Sequence, residues 1–209
     1  MKKFALFLIL FTSLFASAYS GFMKLEPGAW AKYIVHTPQG PMEMINKFIG
    51  TTTYKGKKVN VIETVMQMQN MQHVIQYWSA KGNDAMIKKI VSQTPQGLFC
   101  MEEEMIGFSG MGDSATYHTK TPKEFDPKKP NIKIITLTLK NGKKIKAALF
   151  KEKDQEIYVS SEVPFGIVLV KEKGKKVMEL VDFGYGAKPI ISLEIAKSCG
   201  GLQIPPLPK

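Results

Sequence analysis

Residues 166–183 read GIVLVKEKGKKVMELVDF, and this stretch decides the fold class. Two apolar runs flank the polar turn Lys173-Gly174-Lys175, the arrangement of a β-hairpin. In both arms the apolar residues fall on both sides of the strand. Ile167 and Leu169 oppose Val168 and Val170, while Val177, Val181 and Phe183 oppose Met178 and Leu180. A sheet with one solvated face alternates apolar and polar residues instead, so these arms require cover on both faces. Val59, Val61 and Val65 against Ile62, Met66 and Met68 repeat the pattern in the first half of the chain.

Working outward, turn signals recur every 8–12 residues and separate segments rich in Val, Ile, Thr and aromatic residues, the signature of an antiparallel meander. The spacing predicts strands over 30–36, 42–54, 59–68, 73–80, 85–93, 98–105, 132–139, 145–150, 155–161, 166–171 and 177–183. The tetrapeptide Thr-Pro-Gln-Gly occurs at 37–40 and again at 94–97, where Pro pre-sets a turn and Gly relaxes it. Asn141-Gly142 predicts a type I′ hairpin turn, in which both residues take positive φ. Residues 107–130, with Gly107, Gly110 and Gly112 and then Pro122, Pro127 and Pro130, read as a long connection with one short turn near 122–125. Connections of this length are often lids, and residues 107–113 are the candidate gate.

Few helices are available to cover two apolar faces. The solutions are a sandwich, or a curved sheet around a cavity. The sandwich leaves a second apolar face bare on each sheet. The expected fold is therefore mainly β: a strongly curved antiparallel sheet (a half-barrel) with few short helices or a loop lid.

Residues 1–18 read as a signal peptide, cleaved near 18–20: basic Lys2 and Lys3, an apolar run from Phe4 to Phe15, then Ala16-Ser17-Ala18. The rival reading, an uncleaved anchor, needs roughly 20 apolar residues, more than this run supplies. A single β domain over 21–190 and a C-terminal tail over 191–209 follow, the tail lying along the surface with one helical turn near 192–197. The expected location is periplasmic.

The formal charge is +11, and all 29 basic residues are Lys. The absence of Arg argues against sites needing a planar bidentate fork, nucleic acid included. An exported cationic protein meets anionic membrane surfaces, with Lys supplying a diffuse, salt-screened attraction. Cys100 and Cys199 are the only cysteines. In an oxidising compartment they either pair, for up to ~4.7 kcal/mol in the chain-entropy account, or remain as two buried thiols.

Eight of the 12 Met, from Met42 to Met105, fall in the first β half. Flexible, polarisable Met suits surfaces that adapt to varied apolar ligands, although a Met-rich core explains the same residues. Met66, Met68, Trp78, Phe99, Ile167 and Val170 are the candidate lining residues for an acyl chain. A second reading of Met66, Met68, Met71 and His73 is a Cu(I) site, since soft sulfur selects that ion. A third is a structural envelope protein working through a protein interface. Catalysis has little support: there is no HExxH, and Gly107-Phe108-Ser109-Gly110 stops short of a GxSxG elbow. No cofactor is expected. The run Glu102-Glu103-Glu104 reads as a solvated face or hairpin edge.

The stretch 162–184, EVPFGIVLVKEKGKKVMELVDFG, is similar to the closing hairpin of periplasmic half-barrel proteins of the lipoprotein-sorting carrier type (LolA-like and LppX-like). That resemblance implies a curved antiparallel sheet carrying a lipid or an acylated protein across the envelope. It assigns no contact residue. The expected function is thus a non-catalytic carrier or binding protein for a lipid or lipoprotein acyl chain.

Overall fold

The computed structural model describes residues 25–68, 71–80, 87–108 and 133–203. The leader, residues 109–113 of the candidate gate, the turn near 122–125 and His118 lie outside them. The described chain forms a single open antiparallel sheet, a curved half-barrel with two short helices. Its strands are β1 (Trp30–Thr37), β2 (Gly40–Tyr54), β3 (Lys57–Met68), β4 (Met71–Ala80), β5 (Ile87–Thr94) and β6 (Gly97–Glu102), then β7 (Lys133–Thr138), β8 (Lys144–Glu152), β9 (Gln155–Val159), β10 (Ile167–Glu172), β11 (Lys175–Gly184) and β12 (Gly201–Gln203). Helix α1 is Glu103–Phe108 and α2 is Leu193–Ser198. The sheet order is β12-β6-β5-β4-β3-β2-β1-β11-β10-β9-β8-β7. Two meanders are thus joined where β1 meets β11.

Turn chemistry sets the registers. Thr37 and Thr94 build the same turn: each Oγ1 donates to the carbonyl of the closing glycine, at 2.7 and 3.3 Å, and accepts the N–H of the intervening Gln. The type I′ pattern appears at Lys55-Gly56 and Lys173-Gly174, where both residues have positive φ. Asn141-Gly142 departs from expectation, because only Gly142 has positive φ. Asn141 instead accepts the Lys143 N–H through its side chain, and Gly142 N–H closes onto Leu139 O. That exchange frees the Asn141 amide to donate to Asp182 of β11 at 2.9 Å.

Two contacts measure how far the sheet bends. Tyr33 on β1 reaches past β11 to donate its hydroxyl to Ile167 O on β10, at 3.3 Å. Burial raises the Tyr33 pKa, which keeps that donor protonated. At the far edge, the β7–β8 tip touches β11 through Lys140–Glu179 (2.8 Å) as well as Asn141–Asp182. Strands β8 and β11 are three spacings apart in order, about 14 Å in a flat sheet. The edge is therefore strongly curled.

The strand expected over 98–105 ends early, at Glu102, and the chain enters α1. Glu103 and Glu104 stand in the first helical turn, where carboxylates oppose the positive end of the helix dipole. They form a helix start rather than a hairpin edge.

Candidate functional site

Strands β2–β6 present two faces that are finished in different ways. The first is crossed by the C-terminal segment. After β11 the chain passes Gly28 so closely that a Cβ there would lie 3.1 Å from Gly186 N, and Ala187 N–H donates to Gly28 O at 2.9 Å. Only glycine permits that approach, and Gly28 also has φ +83. From there residues 187–203 run across the strands as a strap.

The strap follows one cross-strand row. Register sets Lys47 opposite Glu63, Glu63 opposite Gln76, Gln76 opposite Val91, and Val91 opposite Cys100. Lys47 Nζ donates to Lys188 O at 3.2 Å. The Glu63 carboxylate accepts the N–H groups of Ile190 and Ile191 at 2.9–3.0 Å. Gln76 Nε2 donates to Ile191 O at 2.7 Å. Cys100 is disulfide-bonded to Cys199, with Cα atoms 6.0 Å apart. One row over, Lys89 Nζ donates to Lys197 O and Cys199 O at the end of α2, at 3.2 and 2.6 Å. Strand β12 then pairs with β6 and becomes the sheet edge.

These polar side chains are buried because the strap's backbone needs partners. A strap crossing a sheet at right angles cannot use ladder hydrogen bonds, and orphaned backbone groups are costly. Glu63 is fully buried, yet its charge is met by Lys47 Nζ (2.9 Å), Gln76 Nε2 (3.1 Å) and two backbone donors. Gln76 Oε1 accepts the Trp78 indole N–H at 3.2 Å, so the amide is satisfied at both ends. Beneath the strap, Val59, Val61, Val65, Val74, Trp78 and Val91 pack with Ile191 and Ala196. The residues expected to lie along the surface as a tail do lie on the sheet, with residues 188–190 exposed, but they are tethered to it from Lys188 to Cys199 before β12 joins the sheet edge.

The opposite face is simpler chemically. Register lines up Phe48, Ile62, Tyr77, Ile90 and Met101 as one continuous apolar row across five strands. The next row is Asn46, Thr64, Ile75, Ser92 and Phe99, and the one beyond is Tyr33, Met44, Met66 and His73. Toward β1 these side chains are buried in the larger core cluster, which also takes in β8–β11. Toward β6 they are half-exposed: Ile62, Tyr77, Ile90, Phe99 and Met101 all retain solvent contact.

The candidate residues separate on this geometry. Met66, Met68 and Phe99 share the unstrapped face, with Met68 and Phe99 half-exposed. Ile167 and Val170 belong to the larger cluster but are packed away at 2% and 7% exposure. Trp78 is a correction: it lies on the strapped face and is wholly buried there, where Tyr54 meets it edge-on at 5.7 Å between ring centres. Two apolar faces on one strand had made both look available, and the strap consumes one.

Met66 faces His73 across the β3–β4 hairpin and Met68 faces Met71, so these four residues share the unstrapped face. His73 Nε2 lies 2.6 Å from Ser92 Oγ, and burial lowers the imidazole pKa from its ordinary value. Among the described residues, no group of three or more His, Cys, Asp or Glu side chains is placed to hold a metal ion.

Ile62, Tyr77, Ile90 and Met101 align only through the registers of β3–β6, which the sequence alone does not give. Glu63, Gln76 and Lys89 did leave a signal, as polar interruptions of apolar stripes: Val61-x-Glu63-x-Val65, Val74-x-Gln76-x-Trp78 and Lys89-x-Val91. Comparison with protein families and with curated proteins returns no match for this chain.

Proposed function

We propose that this protein is an exported, non-catalytic carrier or binding protein that holds a lipid or lipoprotein acyl chain against the unstrapped face of its sheet. The observation that carries the reading is the row Ile62, Tyr77, Ile90 and Met101 with neighbouring Phe99: contiguous, apolar and only partly buried, at the margin of the larger core cluster. Contiguous apolar surface of this kind marks ligand or partner sites. A 16-carbon chain is worth about 12 kcal/mol gross at ~0.8 kcal/mol per CH₂, so such a face competes with a membrane for it. The Cys100–Cys199 bond supports export, since such bonds persist in oxidising compartments. The all-Lys cationic charge suits docking on anionic membrane surfaces. The resemblance of residues 162–184 to the lipoprotein-sorting carriers favours the same cargo.

Native mass spectrometry of protein purified without detergent, with titration of a fluorescent fatty acid, tests the proposal. Bound lipid, displaced by the fatty acid, is expected. Bare-chain mass together with no fatty-acid binding refutes it.

A further inference from the structure

We propose that the end of the β3–β4 hairpin is a binding site for a soft monovalent metal ion, Cu(I) or its analogue Ag(I), held by the thioethers of Met66, Met68 and Met71 and the imidazole of His73. Directly opposed residues of an antiparallel pair have Cβ atoms about 5 Å apart, and alternate residues along a strand are about 7 Å apart. The pairs Met66–His73 and Met68–Met71 therefore mark the corners of a rectangle about 5 by 7 Å. A thioether sulfur stands two bonds beyond Cβ, so all four donors can converge above its centre.

The surroundings match a soft-metal site in two further ways. His73 Nε2 is engaged with Ser92 Oγ at 2.6 Å. With that nitrogen donating, Nδ1 carries the free lone pair, and a hydrogen bond on the other ring nitrogen is the usual means of orienting a ligating imidazole. Exposure is graded, from buried Met66 at 5% to Met71 at 60%, so the outermost thioether is open to solvent. Thioethers select Cu(I) over harder cations, and with both cysteines in a disulfide no thiol competes. The row Tyr33–Met44–Met66–His73 places a further thioether, Met44, next to Met66.

The test uses the full chain with its disulfide intact, titrated anaerobically with Cu(I) in ascorbate against a chromophoric chelator. One ion per chain is expected, with a sulfur-dominated first shell by X-ray absorption. Met68→Leu and Met71→Leu each weaken binding by at least about tenfold, and the double variant removes it. Ser92→Ala weakens binding about tenfold by releasing the imidazole. Met101→Leu, two rows away on the same face, binds as the unmodified protein does. Met→Leu conserves volume, and circular dichroism confirms that each variant is folded. The proposal fails if no Cu(I) is retained, if the double variant retains it, or if Met101→Leu loses it equally. None of these results depends on acyl-chain uptake, so the two readings stand or fall separately.

Discussion

The two faces of strands β2–β6 are covered in different ways: the strap packs over Val59, Val61, Trp78 and Val91 on one, and the larger core cluster takes in part of the other. The strapped face carries Lys47, Glu63, Gln76 and Lys89, and all but Lys47 are fully buried. The other face carries the apolar row Ile62, Tyr77, Ile90 and Met101, and it stays half-exposed. The difference lies in what each face must hold. A strap of backbone brings N–H and C=O groups that demand polar partners, whereas the acyl chain proposed for the other face would bring none and be held by apolar contact alone.

The sharpest way to break that comparison is Glu63→Ala. It strips two strap N–H groups, the partly buried Lys47 and the buried Gln76 of their common acceptor, and is expected to cost about 3–5 kcal/mol in urea unfolding. A loss below about 1 kcal/mol would mean that the strap is held by packing alone. Replacing Cys100 and Cys199 together by Ser is expected to cost about 3 kcal/mol, in the range for bonds closing long loops; thermal melts with and without a reductant measure it.

Acid probes the curled edge instead. Burial raises the Glu179 carboxyl, but Lys140 and Lys176 outweigh it and bring it to about 2, against an ordinary 4.5. A depressed carboxylate stabilises the fold fully above the ordinary value and loses that contribution as pH falls toward 2. The expected loss is roughly 3 kcal/mol at most over that window. Lys140→Ala should flatten the profile, and an unchanged profile would exclude the tip contact as its source.

The smallest effect on stability is expected on the unstrapped face. Ile90→Ser and Phe99→Ser should each cost about 1 kcal/mol, while abolishing uptake of a fluorescent fatty acid. A larger stability loss with uptake intact would assign this row to the core.

The legible part of the fold was local. Lys-Gly turns, the repeated Thr-Pro-Gln-Gly and two-sided apolar arms such as 167–170 announce strands and demand a double cover, because turn geometry and side-chain alternation act within a few residues. The identity of one cover was not legible. Glu63 and Ile191 are 128 positions apart, and no short-range rule links a lone Glu in a Val stripe to the backbone of a distant segment. For the same reason Met66 and Phe99 could be placed by strand type, whereas Trp78 could not be assigned to a face that something else already filled. At Asn141 the tertiary partner Asp182 coincides with a turn type that the dipeptide alone did not indicate.

The strap also imposes an order of assembly. Its tethers come from β2, β3, β4, β5 and β6 in turn, so it has nothing to grip until all five have found their registers. Residues 187–203 are made long after residues 40–102, and such distant pairings form slowly. Until they arrive, the Val59–Val61–Val65 surface and the free edge of β6 stand uncovered, open to any sticky neighbour. The Cys100–Cys199 bond then ties the end of the strap to β6, so the late-made strap is the segment fixed covalently to the sheet.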